Sequence, residues 1–360
     1  MKEISKKLTI LITTYKRHKE LKKKIQYLKN FQFKVLIIDG SPKSLAKSFV
    51  EKFEHITYFH LPVENRYDRI FFATKLIKTK YVKVEADNDY YLPSSLIKSV
   101  DYLEARNEYS AVIGKCGIYS EYKNKIYIKE LFKNHESLTQ DNLFLRMENY
   151  MKDYSPALYH SVLRTDVYKK QIKTLKHCKK IYGDKFDIMA EFCVTFICCA
   201  YGKVKRLGHI TWIRSDDEIK FRKDYIGIKK LIGKASNYQS SYGEKMLKLF
   251  ISGYLDNFFS ILSDEIPKKK RSGYSQNRIK KIYLDWLNIA IKRKNQYIKK
   301  NTYSQKILKN LIPSAIKKYL RFYFRINGPS LMEIISSKIK VDYKFYKNEL
   351  REINKYLLRD

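Results

Sequence analysis

Leu8 to Thr13 (LTILIT) is an almost unbroken apolar run, the pattern of a strand buried on both faces. Leu21, Ile25 and Leu28 follow at helical spacing, and Lys34 to Ile38 (KVLII) repeats the strand pattern before the turn cluster Asp39-Gly40-Ser41-Pro42. The same reading predicts a helix over 44–53, a strand over 57–59, a helix over 68–77 and a strand over 81–84. That strand runs into Glu85-Ala86-Asp87-Asn88-Asp89, and Pro93-Ser94 opens a further helix to about Arg106. Short apolar segments separated by helices predict an α/β fold, a sheet wrapped by helices.

The pattern then loosens. Strands are predicted at 111–114, 117–119, 159–163, 204–207 and 210–213, and helices at 166–175 and 184–200, the latter ending at Gly202. The segment 127–132 fits either type. After Asp216-Asp217 only helical patterns and basic links such as PKKKRSG remain. The expected division is therefore a sheet-bearing domain over 1–216 and a basic helical region over 217–360. In the second region Leu247, Leu249, Phe250, Tyr254 and Phe258 form one amphipathic set, and Ile282, Leu284, Trp286, Leu287 and Ile291 another.

Composition narrows the class. Of 360 residues, 44% are hydrophobic and 14% aromatic, which excludes a disordered chain. The longest apolar stretch, Phe192 to Ala200, is half of what a spanning helix needs, and the N-terminus lacks the pattern of a signal peptide. Five cysteines without a CxxC argue against a disulfide framework or a zinc site, and Cys193, Cys198 and Cys199 fall in an apolar helix as expected core. A cytoplasmic protein is the expectation. The formal charge of +37, from 74 Lys+Arg against 37 Asp+Glu, implies an anionic partner: nucleic acid, a nucleotide-linked substrate or a membrane surface. A lysine- and tyrosine-rich composition also arises from an AT-rich genome.

Ligands of open α/β sheets bind at the carboxyl ends of the strands. The first strand ends in Thr13-Thr14-Tyr15-Lys16-Arg17, the second in Asp39 and the fourth in Asp87-Asn88-Asp89. Two carboxylates two residues apart repel unless a cation compensates them, and a hard divalent ion, Mn²⁺ or Mg²⁺, suits such oxygen donors. The competing reading is that Asp-Asn-Asp only starts a turn.

ILITTYKR, VLIIDGS and YVKVEADNDYYLP, in this order and spacing, resemble the nucleotide-sugar-dependent glycosyltransferases of the GT-A fold, in particular the bacterial family-2-type enzymes of surface-polysaccharide synthesis. The resemblance covers about residues 6–215. It implies a Rossmann-like mixed sheet flanked by helices, and a DxD-type motif in which Asp87 and Asp89 hold the metal, Asp89 more directly, while Asn88 reaches a ribose hydroxyl. It also implies that Thr13, Tyr15, Arg17 and Asp39 hold the base and ribose. An acid near the start of the helix before Gly202 acts as general base in such enzymes. Counting back from Gly202 selects Glu191, with Asp187 in reserve, and direct displacement by this base inverts the anomeric centre. Arg17, Arg69 and Lys75 are the cations expected to neutralise the leaving diphosphate, and His209 is a candidate third metal ligand. His160 and Arg164 resemble a segment lining the acceptor side.

The expected activity is glycosyl transfer from a nucleotide-diphosphate donor to a hydroxyl of a capsule, lipopolysaccharide or related glycan. The expected partners are that donor, a glycan or lipid-linked glycan acceptor and an anionic membrane surface, with the protein peripheral on the inner face of the cytoplasmic membrane. Two other classes compete. A nucleotidyltransferase would carry a glycine-rich phosphate loop after the first strand, where Thr13 to Arg17 has no glycine. A nucleic-acid-binding protein would explain the charge but not carboxylates at the strand ends, which oppose binding of phosphates.

Overall fold

A computed structural model describes residues 6–50, 52–63, 65–122, 125–131, 136–152, 156–182, 187–215, 255–270 and 275–286, together with 349, 351 and 353. The helical sets at Leu247 to Tyr254 and at Leu287 and Ile291 lie outside these residues, as does the boundary at 216–217.

The strands are β1 (Leu8–Thr14), β2 (Lys34–Asp39), β3 (Ile56–His60), β4 (Tyr81–Glu85), β5 (Tyr90–Tyr91), β6 (Tyr109–Tyr122), β7 (Lys125–Leu131), β8 (Val162–Arg164) and β9 (Lys203–Ser215). They form one sheet in the order β3-β2-β1-β4-β8-β6-β9-β5, with β7 on β6. Strands β3, β2, β1 and β4 are parallel, β8 runs against both β4 and β6, and β9 is parallel to β6. This is the expected mixed α/β sheet. Because β8 reverses, β6 and β9 point the same way as β1 and β4, and their carboxyl ends share one edge.

Alternation along the strands divides the core in two. Leu11, Leu36 and Ile38 face one layer, and Ile10, Ile12, Val35 and Ile37 the other. The second layer is covered by α1 (His18–Leu28), α2 (Lys47–Val50) and α4 (Pro93–Ala105). The first is covered by α3 (Arg66–Leu76), α5 (Leu143–Lys152), α6 (Thr165–Tyr182), α7 (Asp187–Tyr201), α8 (Leu255–Asp264) and a helix over 275–286, α9. Phe258, Phe259, Leu262, Ile279 and Tyr283 are buried in that layer, so the described part of the C-terminal region shares the core of the sheet-bearing part. All five cysteines are buried and free.

Strands predicted as pairs of short segments turn out continuous. The segments 111–114 and 117–119 are parts of β6, and 204–207 and 210–213 are parts of β9. Register shifts at Tyr109/Ala111, Ile113/Lys115 and Lys115/Cys116 bend this pair and interrupt the period-2 pattern. Gly114 sits in the bend, where a Cβ would collide with the Thr211 side chain. Residues 127–131 of the ambiguous segment belong to β7, and the predicted strand at 159–163 is a 3₁₀ turn (Pro156–His160) leading into β8.

Candidate active site

The chain leaves β1 through Lys16, whose φ of 55° is the left-handed conformation. This turn carries Arg17 back toward the strand ends. Thr14 Oγ1 donates to Asp87 Oδ2 at 2.7 Å, and Arg17 Nη1 lies 3.1 Å from Asp87 Oδ1. Both Asp87 oxygens are thus engaged, and the carboxylate is 4% exposed against 33% for the arginine. Beside them the Tyr15 ring lies under two cations, Lys16 Nζ at 5.0 Å and the Arg69 guanidinium at 5.7 Å. Arg69 is buried and donates to Val63 O at 2.5 Å. It passes so close to Gly40 that a Cβ there would meet it.

Asp39 ends β2 at the same edge of the sheet. It is fully buried, with Oδ1 accepting from the Ser41 amide at 2.8 Å and Oδ2 lying 2.7 Å from both His18 Nε2 and the Tyr58 hydroxyl. Burial alone would raise its pKa, but hydrogen bonds from Ser41, Tyr58 and His18 outweigh it and hold the carboxyl below its ordinary value. Asp39 therefore orders the two loops after β1 and β2. Expected among the residues that hold the base and ribose, it is enclosed at the strand end by these three partners.

Asp89 faces the other side of the same loop. Its Oδ2 lies 3.7 Å from His160 Nδ1, on the 3₁₀ turn before β8. The imidazole stacks on Trp212 at 4.1 Å, and Trp212 stacks on Tyr91 at 5.8 Å and 5°. Burial, with Lys83, Arg214 and Arg66 nearby, holds His160 well below the usual imidazole range, so the ring is neutral at pH 7. Arg214, at the end of β9, lies 5.7 Å from the Trp212 ring, and Arg66 opens α3 beside Tyr159. Asn88 is buried, and neither its amide nitrogen nor its oxygen has a hydrogen-bond partner among the described residues. Such a group calls for a polar ligand or water.

Beneath the loop is a buried ionic cluster. Lys24 of α1 pairs with Glu85 at 2.6 Å, both side chains being inaccessible, and donates to the Asp89 carbonyl. Lys83 donates to Val84 O at 2.7 Å and lies 4.0 Å over the Tyr91 ring. Its burial pushes the ammonium down to about 7, against the pull of Glu85 and Asp89. Lys24 and Lys83 read in the sequence as one lysine among many. Only their positions, one on the apolar face of α1 and one inside a buried strand, could have singled them out.

The other expected residues are spread over the fold. Lys75 is exposed near the end of α3, a helix that descends from the strand carboxyl ends toward the opposite edge, so it is removed from the cleft. His209, the candidate third metal ligand, lies within β9, four residues before Ile213, the partner of Tyr90, and His160 lies beside Asp89. Arg164 donates to the carbonyls of Tyr109, Leu103 and Arg106, which ties it to the far end of the sheet. Thr13 is half-buried at the end of β1. Asp187 and Glu191 occupy the first two turns of α7, and their side chains are outside the described residues. Helix α7 leads through Gly202 into the start of β9, so its N-terminus is at the carboxyl edge of the sheet, and it packs on the turn that carries His160.

Among the described residues no three His, Cys, Asp or Glu side chains form a group that could hold a metal by themselves. A magnesium-type ion needs fewer, since it keeps water and takes phosphate oxygens beside one or two carboxylates. Asp89, a hard donor next to a neutral imidazole, fits that requirement. Asp87 is bonded on both oxygens to Thr14 and Arg17 and fits it less well.

No protein family's sequence model matches the chain, and no curated protein matches it. Solved structures do. Staphylococcus aureus TarS residues 1–349 superposes at a TM-score of 0.44 with 14% identity, covering 81% of this chain and 91% of that one. The same fragment in complex with UDP-GlcNAc gives 0.46 with 12% identity over 81% and 92%. A longer TarS structure gives 0.45 with 13% identity over 79% of this chain and 55% of that one. Identity this low fixes no residue's role here.

Proposed function

We propose that the protein is a glycosyltransferase that moves a sugar from a nucleotide-diphosphate donor to a hydroxyl of a surface glycan or its lipid-linked precursor, with inversion at the anomeric carbon. The observation that carries this reading is the loop after β4. It presents Asp87 bonded to Thr14 and Arg17, Asn88 with unsatisfied buried polar atoms and Asp89 beside a neutral His160. Arg17, Arg66, Arg69 and Arg214 stand around it.

A carboxylate pair ringed by guanidinium groups suits a diphosphate bridged to the protein by a divalent cation. Asp89 would hold that ion, Mn²⁺ or Mg²⁺, which when bound neutralises charge on the phosphate oxygens. Tyr15, stacked with Arg69, offers a face for the base, and Asn88 a donor and acceptor for ribose or phosphate. Arg17 and Arg214 orient the diphosphate and stabilise the departing oxygen. Glu191, with Asp187 as the alternative, takes the proton of the acceptor hydroxyl. The acceptor oxygen bonds to the anomeric carbon as the bond from that carbon to the phosphate oxygen breaks, its electron pair leaving with the nucleoside diphosphate.

Titration of the purified protein with UDP, CDP and GDP, with and without Mn²⁺, tests the reading. Metal-dependent binding of one nucleotide, lost in Asp89→Ala, is expected. No nucleotide binding, together with tight salt-sensitive binding of RNA, would overturn it.

A further inference from the structure

One face of α1 holds the loop after β4. Arg17, the N-cap residue of this helix, Lys24 and Tyr27 stand at i, i+7 and i+10, which brings them to the same side. Each meets an alternate residue of the loop. Arg17 Nη1 lies 3.1 Å from Asp87 Oδ1, Lys24 Nζ donates to the Asp89 carbonyl, and the Tyr27 hydroxyl donates to the Tyr91 carbonyl at 2.6 Å. Lys24 also pairs with Glu85 at 2.6 Å, so a single ammonium joins both ends of the segment 85–89 from beneath. The rings of Tyr27 and Tyr90 flank that ammonium at 5.7 and 5.4 Å. Asn88, between two of the held residues, keeps both polar atoms of its side chain without a hydrogen-bond partner among the described residues.

A buried ion pair often adds no stability over an apolar pair of the same size. What it supplies here is direction. Lys24 is fully enclosed, and its second partner lies four residues before Asp89 on the chain, so the donor to the Asp89 carbonyl is itself fixed. Fixing that carbonyl fixes the peptide plane, and with it the Cα from which the Asp89 carboxylate projects. We infer that Lys24 is a positioning residue for Asp89: without touching a ligand, it sets where the carboxylate stands and so how tightly the site takes a divalent cation. The inference rests on the transferase reading, in which Asp89 holds that cation.

Glu85→Gln and Lys24→Met/Glu85→Gln test it, because both lack the ion pair and only the second lacks the donor to the Asp89 carbonyl. Each is titrated with UDP, CDP and GDP at rising Mn²⁺, and urea unfolding is followed on the same preparations. Hydrogen-bond partners behind a metal ligand contribute about tenfold to a hundredfold in metal affinity. The double variant is therefore expected to need about ten to a hundred times more Mn²⁺ for half-maximal nucleotide binding, while Glu85→Gln stays close to the parent. Nucleotide affinity without metal should be alike in both. Glu85→Gln leaves the Lys24 charge buried and unpaired, so it is expected to be the less stable of the two, and the order of stability should oppose the order of Mn²⁺ affinity. Equal Mn²⁺ requirements in the two variants, or orders that agree, would overturn the inference by reducing Lys24 to a stabilising group. A parent without Mn²⁺-dependent nucleotide binding would overturn the transferase reading, and the inference with it.

Discussion

Thr14 and Asp87 are joined by a 2.7 Å hydrogen bond between the ends of two neighbouring strands, 73 residues apart in sequence. The threonine hydroxyl points one carboxylate oxygen inward and leaves the other to Arg17. The loop that follows is thereby fixed before any ligand arrives.

Removing that bond should be felt in binding more than in folding. A hydrogen bond to a buried charge contributes about 1.5–3 kcal/mol. Thr14→Val is expected to weaken nucleotide binding about tenfold to a hundredfold, measured by calorimetric titration, whereas Thr14→Ser should remain close to the parent. Equal affinity in Thr14→Val would show that Asp87 needs no such positioning.

The Lys24–Glu85 pair concerns stability. Both side chains are inaccessible, so truncating one leaves an uncompensated buried charge. Lys24→Met is expected to cost about 3–5 kcal/mol in urea unfolding, and adding Glu85→Gln should restore part of it. A single variant within 1 kcal/mol of the parent (roughly the spread of ordinary surface changes) would contradict this.

Acid sensitivity should centre on Glu104. Hydrogen bonds from Lys7 at 2.9 Å, Lys80 at 2.6 Å and the Tyr81 hydroxyl at 2.5 Å lower its pKa to about 2. The native state thus holds the proton less tightly than the unfolded chain. This stabilisation is present above pH 4.5 and fades as the pH falls toward 2. Because the group is partly exposed, the contribution is on the order of 1 kcal/mol. Glu104→Gln should flatten the stability profile over that window; an unchanged slope would exclude the residue as its source.

At Gly40 a side chain has no room. A Cβ would run into the Val63 carbonyl and the Arg69 side chain. Gly40→Ala is expected to displace Arg69, costing about 1–3 kcal/mol of stability and weakening nucleotide binding. Unfolding curves and titrations of the same preparation check both effects.

The two acids of α7 can be told apart kinetically. Loss of a general base lowers turnover about 10²–10⁴-fold while leaving donor binding intact. Glu191→Gln is expected to behave this way and Asp187→Asn to lose far less. The reverse order would move the base to Asp187.

The first half of the sheet is legible in the sequence because its strands are buried on both faces and its helices are amphipathic. LTILIT and KVLII need no partner to be recognised, and the acids that end β2 and β4 follow from the strand boundaries. The second half is not, since β6 and β9 are bent by register shifts that interrupt alternation, and nothing local marks the reversal of β8.

Within the site the same limit applies. Residue type and position at a strand end single out Asp87, Asn88, Asp89 and Arg17, since these follow from local pattern and turn chemistry. Direction and partnership do not. Asp39 has the same strand-end signature as Asp87, yet it is enclosed by Ser41, His18 and Tyr58. His160 lies 71 residues from Asp89 by number and meets it because β8 pairs with β4. The sequence by itself determined the sheet, its carboxyl edge and the acids on it, since burial and turn chemistry act over a few residues. Tertiary structure alone decided which partners enclose each acid, which histidine stands beside Asp89 and which lysines are buried, because hydrogen bonds, stacking and desolvation act between residues that only the fold brings together.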